Sequence, residues 1–88
     1  MKDTVELGAY MRAIRQTEHV DRKTLVYTIA ANSDGGSLGR VAWFGRWRQY
    51  TFDPMTGATF NNSCLRSLAA FLEQLNREHT EALAGATT

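Results

Sequence analysis

From Leu65 onward the apolar residues return at Leu65, Leu68, Leu72 and Leu75, with Cys64 and Phe71 widening the stripe. Spacings of three and four put them on one face of an α-helix. Arg66, Ser67, Glu73, Gln74, Arg77 and Glu78 fall on the other side. Asn61 or Asn62 can cap the start, because an asparagine oxygen accepts from the orphan amides of a first turn. The pattern predicts a helix from about Ser63 to about His79, running on toward Leu83 and a stop at Gly85.

The centre of the chain has period two instead. Over Lys23 to Ala31, Leu25, Tyr27 and Ile29 share one face, and Thr24, Val26 and Thr28 share the other. The polar, glycine-bearing run from Asn32 to Ser37 reads as a turn. Leu38 to Phe44 is a second strand, with Val41 and Trp43 on one side and Arg40, Ala42 and Phe44 on the other. Gly45-Arg46 suits a two-residue hairpin turn, since a leading glycine permits positive φ. The chain then returns over Trp47 to Phe52, with Arg48, Tyr50 and Phe52 opposed to Trp47, Gln49 and Thr51, and Asp53-Pro54-Met55-Thr56-Gly57 breaks the sheet.

The N-terminal segment admits two readings. Leu7, Met11 and Ile14 lie at helical spacing; Tyr10, Arg12, Ile14 and Gln16 also alternate with Met11, Ala13 and Arg15 as a strand would. The short connector Glu18 to Arg22 suits a hairpin and favours the strand. The expected fold class is α+β: an antiparallel β-meander of three to four strands with one C-terminal amphipathic helix packed on one face. Residues 1–88 make a single domain, with an ordered core over about 10–80 and loose ends at 1–6 and 84–88.

Composition changes this picture little. The chain is 43% hydrophobic and 22% charged, as a globular domain is, and its net charge of +1 gives no global pull toward nucleic acid or anionic membrane. A domain this small leaves apolar surface that a homodimer or another partner can cover. No apolar run nears the roughly 18–20 residues that span a bilayer, and the N-terminus has no signal-like hydrophobic stretch. Cys64 is the single cysteine, so no internal disulfide forms. These features point to the cytoplasm and to no membrane.

The unusual feature is the crowding of rings and guanidiniums between Arg40 and Phe60. Trp43, Phe44, Trp47, Tyr50, Phe52 and Phe60 are six of the nine aromatics, interleaved with Arg40, Arg46 and Arg48. One helix covers one face of a sheet, so aromatics on both faces leave some rings exposed. Arg40, Trp43, Arg46, Trp47, Arg48 and Tyr50 are therefore candidate partner-binding residues, since aromatic and arginine side chains anchor protein interfaces. The same residue types also build single-strand nucleic-acid platforms, by stacking on bases and meeting phosphates. The plainer reading, placed ahead of both, is that Trp43, Tyr50 and Phe52 form the core under the helix, with the arginines solvated and stacked on rings.

Other chemistry finds less support. Cys64 falls in the first helical turn, where the dipole favours a thiolate, but nothing in the sequence brings His19 or His79 beside it, and a small buried residue is the simpler reading. One cysteine and two distant histidines lack metal-site spacing, and Gly35-Gly36 with Gly39 is no phosphate loop, because no Lys-Ser/Thr follows. Asp21, Asp34 and Asp53 sit in expected turns, where aspartate bonds its own backbone. No catalytic residue, cofactor or metal is expected.

Trp47-Arg48-Gln49-Tyr50-Thr51-Phe52-Asp53-Pro54, then Phe60-Asn61 and Cys64-Leu65, resembles a pattern in small uncharacterised proteins of bacteriophages and prophages. In them a strand ends in W-R-Q-Y-x-F-x-P, and F-N-x-x-C-L opens a helix. The resemblance runs roughly from Leu38 to Leu75; Thr51 and Asp53 stand where aromatic or cysteine residues often occur in those proteins. It implies a phage or prophage origin, and so an accessory protein acting on host or phage machinery, in the host-cell cytoplasm if phage-encoded; with the arginine/aromatic stretch, the expected role is a non-enzymatic module that binds a host or phage protein. It carries over no catalytic residue.

Overall fold

A computed structural model describes residues 3–16 and 24–86, with side chains described to residue 82. Five strands form one antiparallel sheet in meander order: β1 (Thr4–Leu7), β2 (Met11–Arg15), β3 (Val26–Ala31), β4 (Ser37–Phe44) and β5 (Gln49–Pro54). One helix, α1 (Asn62–Ala86), follows and crosses a single face. The α+β expectation holds, with a fifth strand added.

The added strand is β1. It lies in a stretch that the sequence pattern leaves loose, and four residues have too little alternation to announce a strand. Pairing stabilises it: Thr4 to Leu7 oppose Ile14 to Met11, and the Arg15 amide donates to the Asp3 carbonyl at 2.6 Å. Residues 4–15 are therefore a hairpin, and the helical alternative for this segment is not formed. The connector Glu18 to Arg22, with His19 and Asp21, lies outside the described residues.

The alternation in β3, β4 and β5 sorts the side chains as the sequence suggests. Tyr27, Ile29, Val41 and Tyr50 are buried beneath the helix together with Leu7, Met11 and Ala13. From α1, Cys64, Leu68, Phe71 and Leu75 descend onto them, at spacings of four, three and four. The stripe is thus centred on Cys64 and Phe71, and Leu65 lies outside it at 53% exposure. Phe71 meets the Tyr27 ring edge-on at 5.0 Å, and burial in this layer pushes the Tyr27 phenol above the ordinary tyrosine range, with Arg15 partly offsetting the rise.

The helix begins where Asn61 caps it: its Oδ1 accepts from the Cys64 amide at 2.8 Å, and the Leu65 amide donates to the Asn61 carbonyl at 3.0 Å. The helix continues to Ala86, past the expected region of His79 to Gly85.

Two irregularities shape the hairpins. Ala30 pairs with Ser37 and Ile29 with Gly39, so Leu38 is an extra, bulged residue. A Cβ on Gly39 would lie 2.6 Å from Phe52 ring carbons and from the Asp53 carbonyl oxygen, which is why this position has no side chain. Between β4 and β5, Phe44 pairs with Gln49, so the connection is the four-residue loop 45–48 and not the two-residue turn Gly45-Arg46. The Trp47 and Arg48 amides both donate to the Phe44 carbonyl, and Arg48 takes φ of 55° to close the loop.

Candidate functional site

The β4–β5 hairpin divides the six candidate residues among three places. Trp43 and Tyr50 face the helix. Their rings meet edge-on at 5.4 Å, and His79 of α1 stacks on Trp43 at 4.4 Å. Tyr50 is only 4% exposed; its hydroxyl accepts from the Leu25 amide at 3.0 Å. It is a core residue and is withdrawn from any contact surface. Trp43 is half-buried in the same seam.

Arg40 stands on the opposite, outer face, which no helix covers among the described residues, and Arg46, Trp47 and Arg48 form the exposed loop. Trp47 is 64% exposed and meets Phe44, itself 40% exposed, edge-on at 5.1 Å. Phe44 was not among the candidates. Period two already placed it beside Arg40 and Ala42, and its exposed partnership with Trp47 is the signal that only the loop's path supplies.

Register orders the outer face of this hairpin into successive cross-strand pairs: Arg40 with Asp53, Ala42 with Thr51, and Phe44 with Gln49. A shallow groove of about 350 Å³ runs over them, lined by Arg40, Ala42, Phe44, Trp47, Thr51 and Asp53 together with Trp43 and Phe52 of the alternate positions. Its floor is low because alanine and threonine are small. One end is an aromatic corner, the other an opposite-charge pair. Over β2 and β3 the outer face is differently occupied: Gln16 Nε2 donates to Thr28 Oγ1 at 2.6 Å, and Arg12 Nη1 to Asn32 Oδ1 at 3.1 Å.

The free edge of β5 is closed to strand addition at two points. The Tyr50 amide points away from β4 and donates to Asn76 Oδ1 of the helix at 2.7 Å, and Pro54 has no amide hydrogen. Asn76, a polar residue flanking the apolar stripe, gave no sign of this role in the sequence. Any partner of this hairpin therefore meets its face and loop more readily than its edge.

Cys64 is buried in the core, and His79 lies fifteen residues along the same helix, about 22 Å away at 1.5 Å per residue. The structure does not bring these two together. Among the described residues, no three His, Cys, Asp or Glu side chains are grouped as metal ligands would be, and no helix is long and apolar enough to cross a membrane.

Over 51 residues the chain is 31% identical to a protein of Acholeplasma phage L2 described as an uncharacterized 9.3 kDa protein. The chain is similar to a small phage protein. The match covers 57% of this chain and 65% of that relative, so the chain spans just under two thirds of the relative's length. No protein-family model and no solved structure matches the sequence.

Proposed function

We propose that this chain is a phage-type accessory module of the host-cell cytoplasm, non-enzymatic, that binds a host or phage protein through the outer face and loop of the β4–β5 hairpin. One observation carries the reading: Trp47 and Phe44 form an exposed aromatic corner at the end of a groove, on the sheet face that the helix leaves open. Large exposed rings beside arginines are the composition of interface anchors. Similarity to a phage protein supports the origin. Of the six residues first singled out, Arg40, Arg46 and Trp47 are the contacts in this reading; Trp43 and Tyr50 support the hairpin from beneath, and Arg48 borders its helix side with Trp43, Asn76 and His79.

The test is capture from host-cell extract, nuclease-treated, with the tagged wild-type chain and with Trp47→Ala. A discrete protein retained by the wild type and lost with Trp47→Ala is the expected result. Equal retention by both, or retention only of nucleic acid before nuclease treatment, refutes the proposal.

A further inference from the structure

At the end of the sheet away from the 45–48 loop, a cleft of about 540 Å³ opens between the sheet and the start of α1. Met11, Ala31, Leu38 and Cys64 line it from below, and Phe60 forms a wall. Its mouth is framed by three connections: the β1–β2 turn with Tyr10, the β3–β4 turn with Ser33, and the link into α1 with Thr59 and Asn61. A volume in this range is that of a small-molecule site.

Contacts within the chain fix these walls. The Asn32 amide donates to the Tyr10 carbonyl at 2.9 Å and Asn32 Nδ2 to the Ala9 carbonyl at 3.1 Å, which ties two of the turns together. Phe60 stands edge-on to Phe52 at 5.4 Å, and Asn61 is held as the cap of α1. The points where the chain leaves the described residues lie elsewhere. Asp3 bonds Arg15 and Gln16 bonds Val26 at the opposite end of the sheet, and Thr24 precedes Leu25, whose amide bonds the Tyr50 hydroxyl. Ala86 ends α1 twenty-two residues past Cys64, about 33 Å away at 1.5 Å per residue. The occupant that fits the cleft is therefore a separate molecule.

The lining gives its chemistry. No charged side chain lines the cleft among the described residues. The charges of the adjoining turn are engaged: Arg12 Nη1 donates to Asn32 Oδ1 at 3.1 Å, and Asp34 Oδ1 accepts from the Gly36 amide at 2.9 Å. A charged ligand would lose hydration there and gain no counter-charge, which favours a neutral one. Met11 and Cys64 bring sulfur, and Phe60 and Tyr10 bring rings, Tyr10 at 59% exposure over the mouth. Sulfur and ring edges both pack well on an aromatic body. The Tyr10, Ser33 and Thr59 hydroxyls and Asn61 Nδ2 have no partner among the described residues, so a hydroxyl or ring N–H of the ligand finds hydrogen-bonding groups at the mouth.

We propose that this cleft binds a small neutral aromatic molecule, its ring over Met11 between Tyr10 and Phe60 and its hydrogen-bonding group at the mouth. The proposal rests on nothing in the β4–β5 hairpin, so it stands or falls apart from the preceding reading.

Titration of the isotope-labelled chain with phenol, benzyl alcohol and indole, followed by amide chemical shifts, tests it, with benzoate and benzylamine as charged counterparts. At least one neutral probe should give saturable shifts at the Tyr10, Ser33, Leu38 and Cys64 amides, and the charged pair should bind about tenfold more weakly or worse. Ala31→Phe, which fills the cleft from the strand, should weaken the neutral probe by about tenfold or more, while Trp47→Ala leaves it unchanged. No saturable shift at these amides, larger shifts around Trp47, equal binding of benzoate or benzylamine, or undiminished binding by folded Ala31→Phe would overturn the proposal. Should Ala31→Phe fail to fold, Tyr10→Ala at its exposed position decides in its place: weakened binding supports the site, and undiminished binding removes it.

Discussion

The chain's two tryptophans sit four residues apart and should behave oppositely when truncated. Trp43 packs half-buried against His79 and Tyr50, with ring centroids 4.4 and 5.4 Å away. Removing a fully buried tryptophan to alanine costs about 3–5 kcal/mol, so a half-buried one should cost about 2–3 kcal/mol. A domain of this size holds about 4–13 kcal/mol in total, at 0.05–0.15 kcal/mol per residue, so Trp43→Ala removes a large share of it. Trp47 is 64% exposed and touches Phe44 edge-on, an exposed contact of about 0.5 kcal/mol. Urea unfolding followed by circular dichroism measures both losses. With a slope near 1 kcal/mol per molar, as for a small domain, the midpoint should fall by about 2–3 M for Trp43→Ala and by about 0.5 M or less for Trp47→Ala. Each variant keeps one tryptophan as a reporter: Trp43 alone should be shielded from an aqueous quencher, and Trp47 alone quenched freely. Equal destabilisation by the two substitutions, or a larger loss at Trp47, would refute the division of the hairpin into a buried and an open side.

Gly39→Ala should cost about 1–3 kcal/mol, because its Cβ would lie 2.6 Å from the Phe52 ring, itself held edge-on by Phe60, and equally close to the Asp53 carbonyl. Gly45→Ala, with nothing within 4 Å, should leave the unfolding midpoint unchanged or slightly raised. Tyr27 should be among the last phenols to ionise in an ultraviolet titration, since burial raises it above the ordinary value of 10.0. Its folded form holds the proton longer than its unfolded form, so its contribution is complete below about pH 10 and is lost as pH rises through the elevated folded value. Tyr27→Phe should flatten that alkaline loss; an unchanged slope would show that the phenol is not the cause.

Local backbone geometry determines which way a side chain points, and so the sequence alone determined the faces. Alternation grouped Tyr27 with Ile29 in β3, set Val41 and Trp43 against Arg40, Ala42 and Phe44 in β4, and grouped Tyr50 with Phe52 in β5, as the structure has them; which of these groups share the helix side only the pairing shows. This survived a wrong turn: moving the connection from a two-residue turn at Gly45-Arg46 to the loop 45–48 shifts the pairing by two residues, and a period of two returns every side chain to its own face. What the shift changed was partnership. Trp43 came to lie opposite Tyr50, and Trp47 left the strand for the loop, where it meets Phe44. These are contacts between residues whose spacing along the chain says nothing of their distance. The rotation of the helix that leaves Leu65 outside, the Asn76 cap on the β5 edge and the pairing that makes β1 a strand are of the same kind. Each is a non-local contact that stabilises only once the sheet and helix meet, and periodicity along one segment contains no record of it.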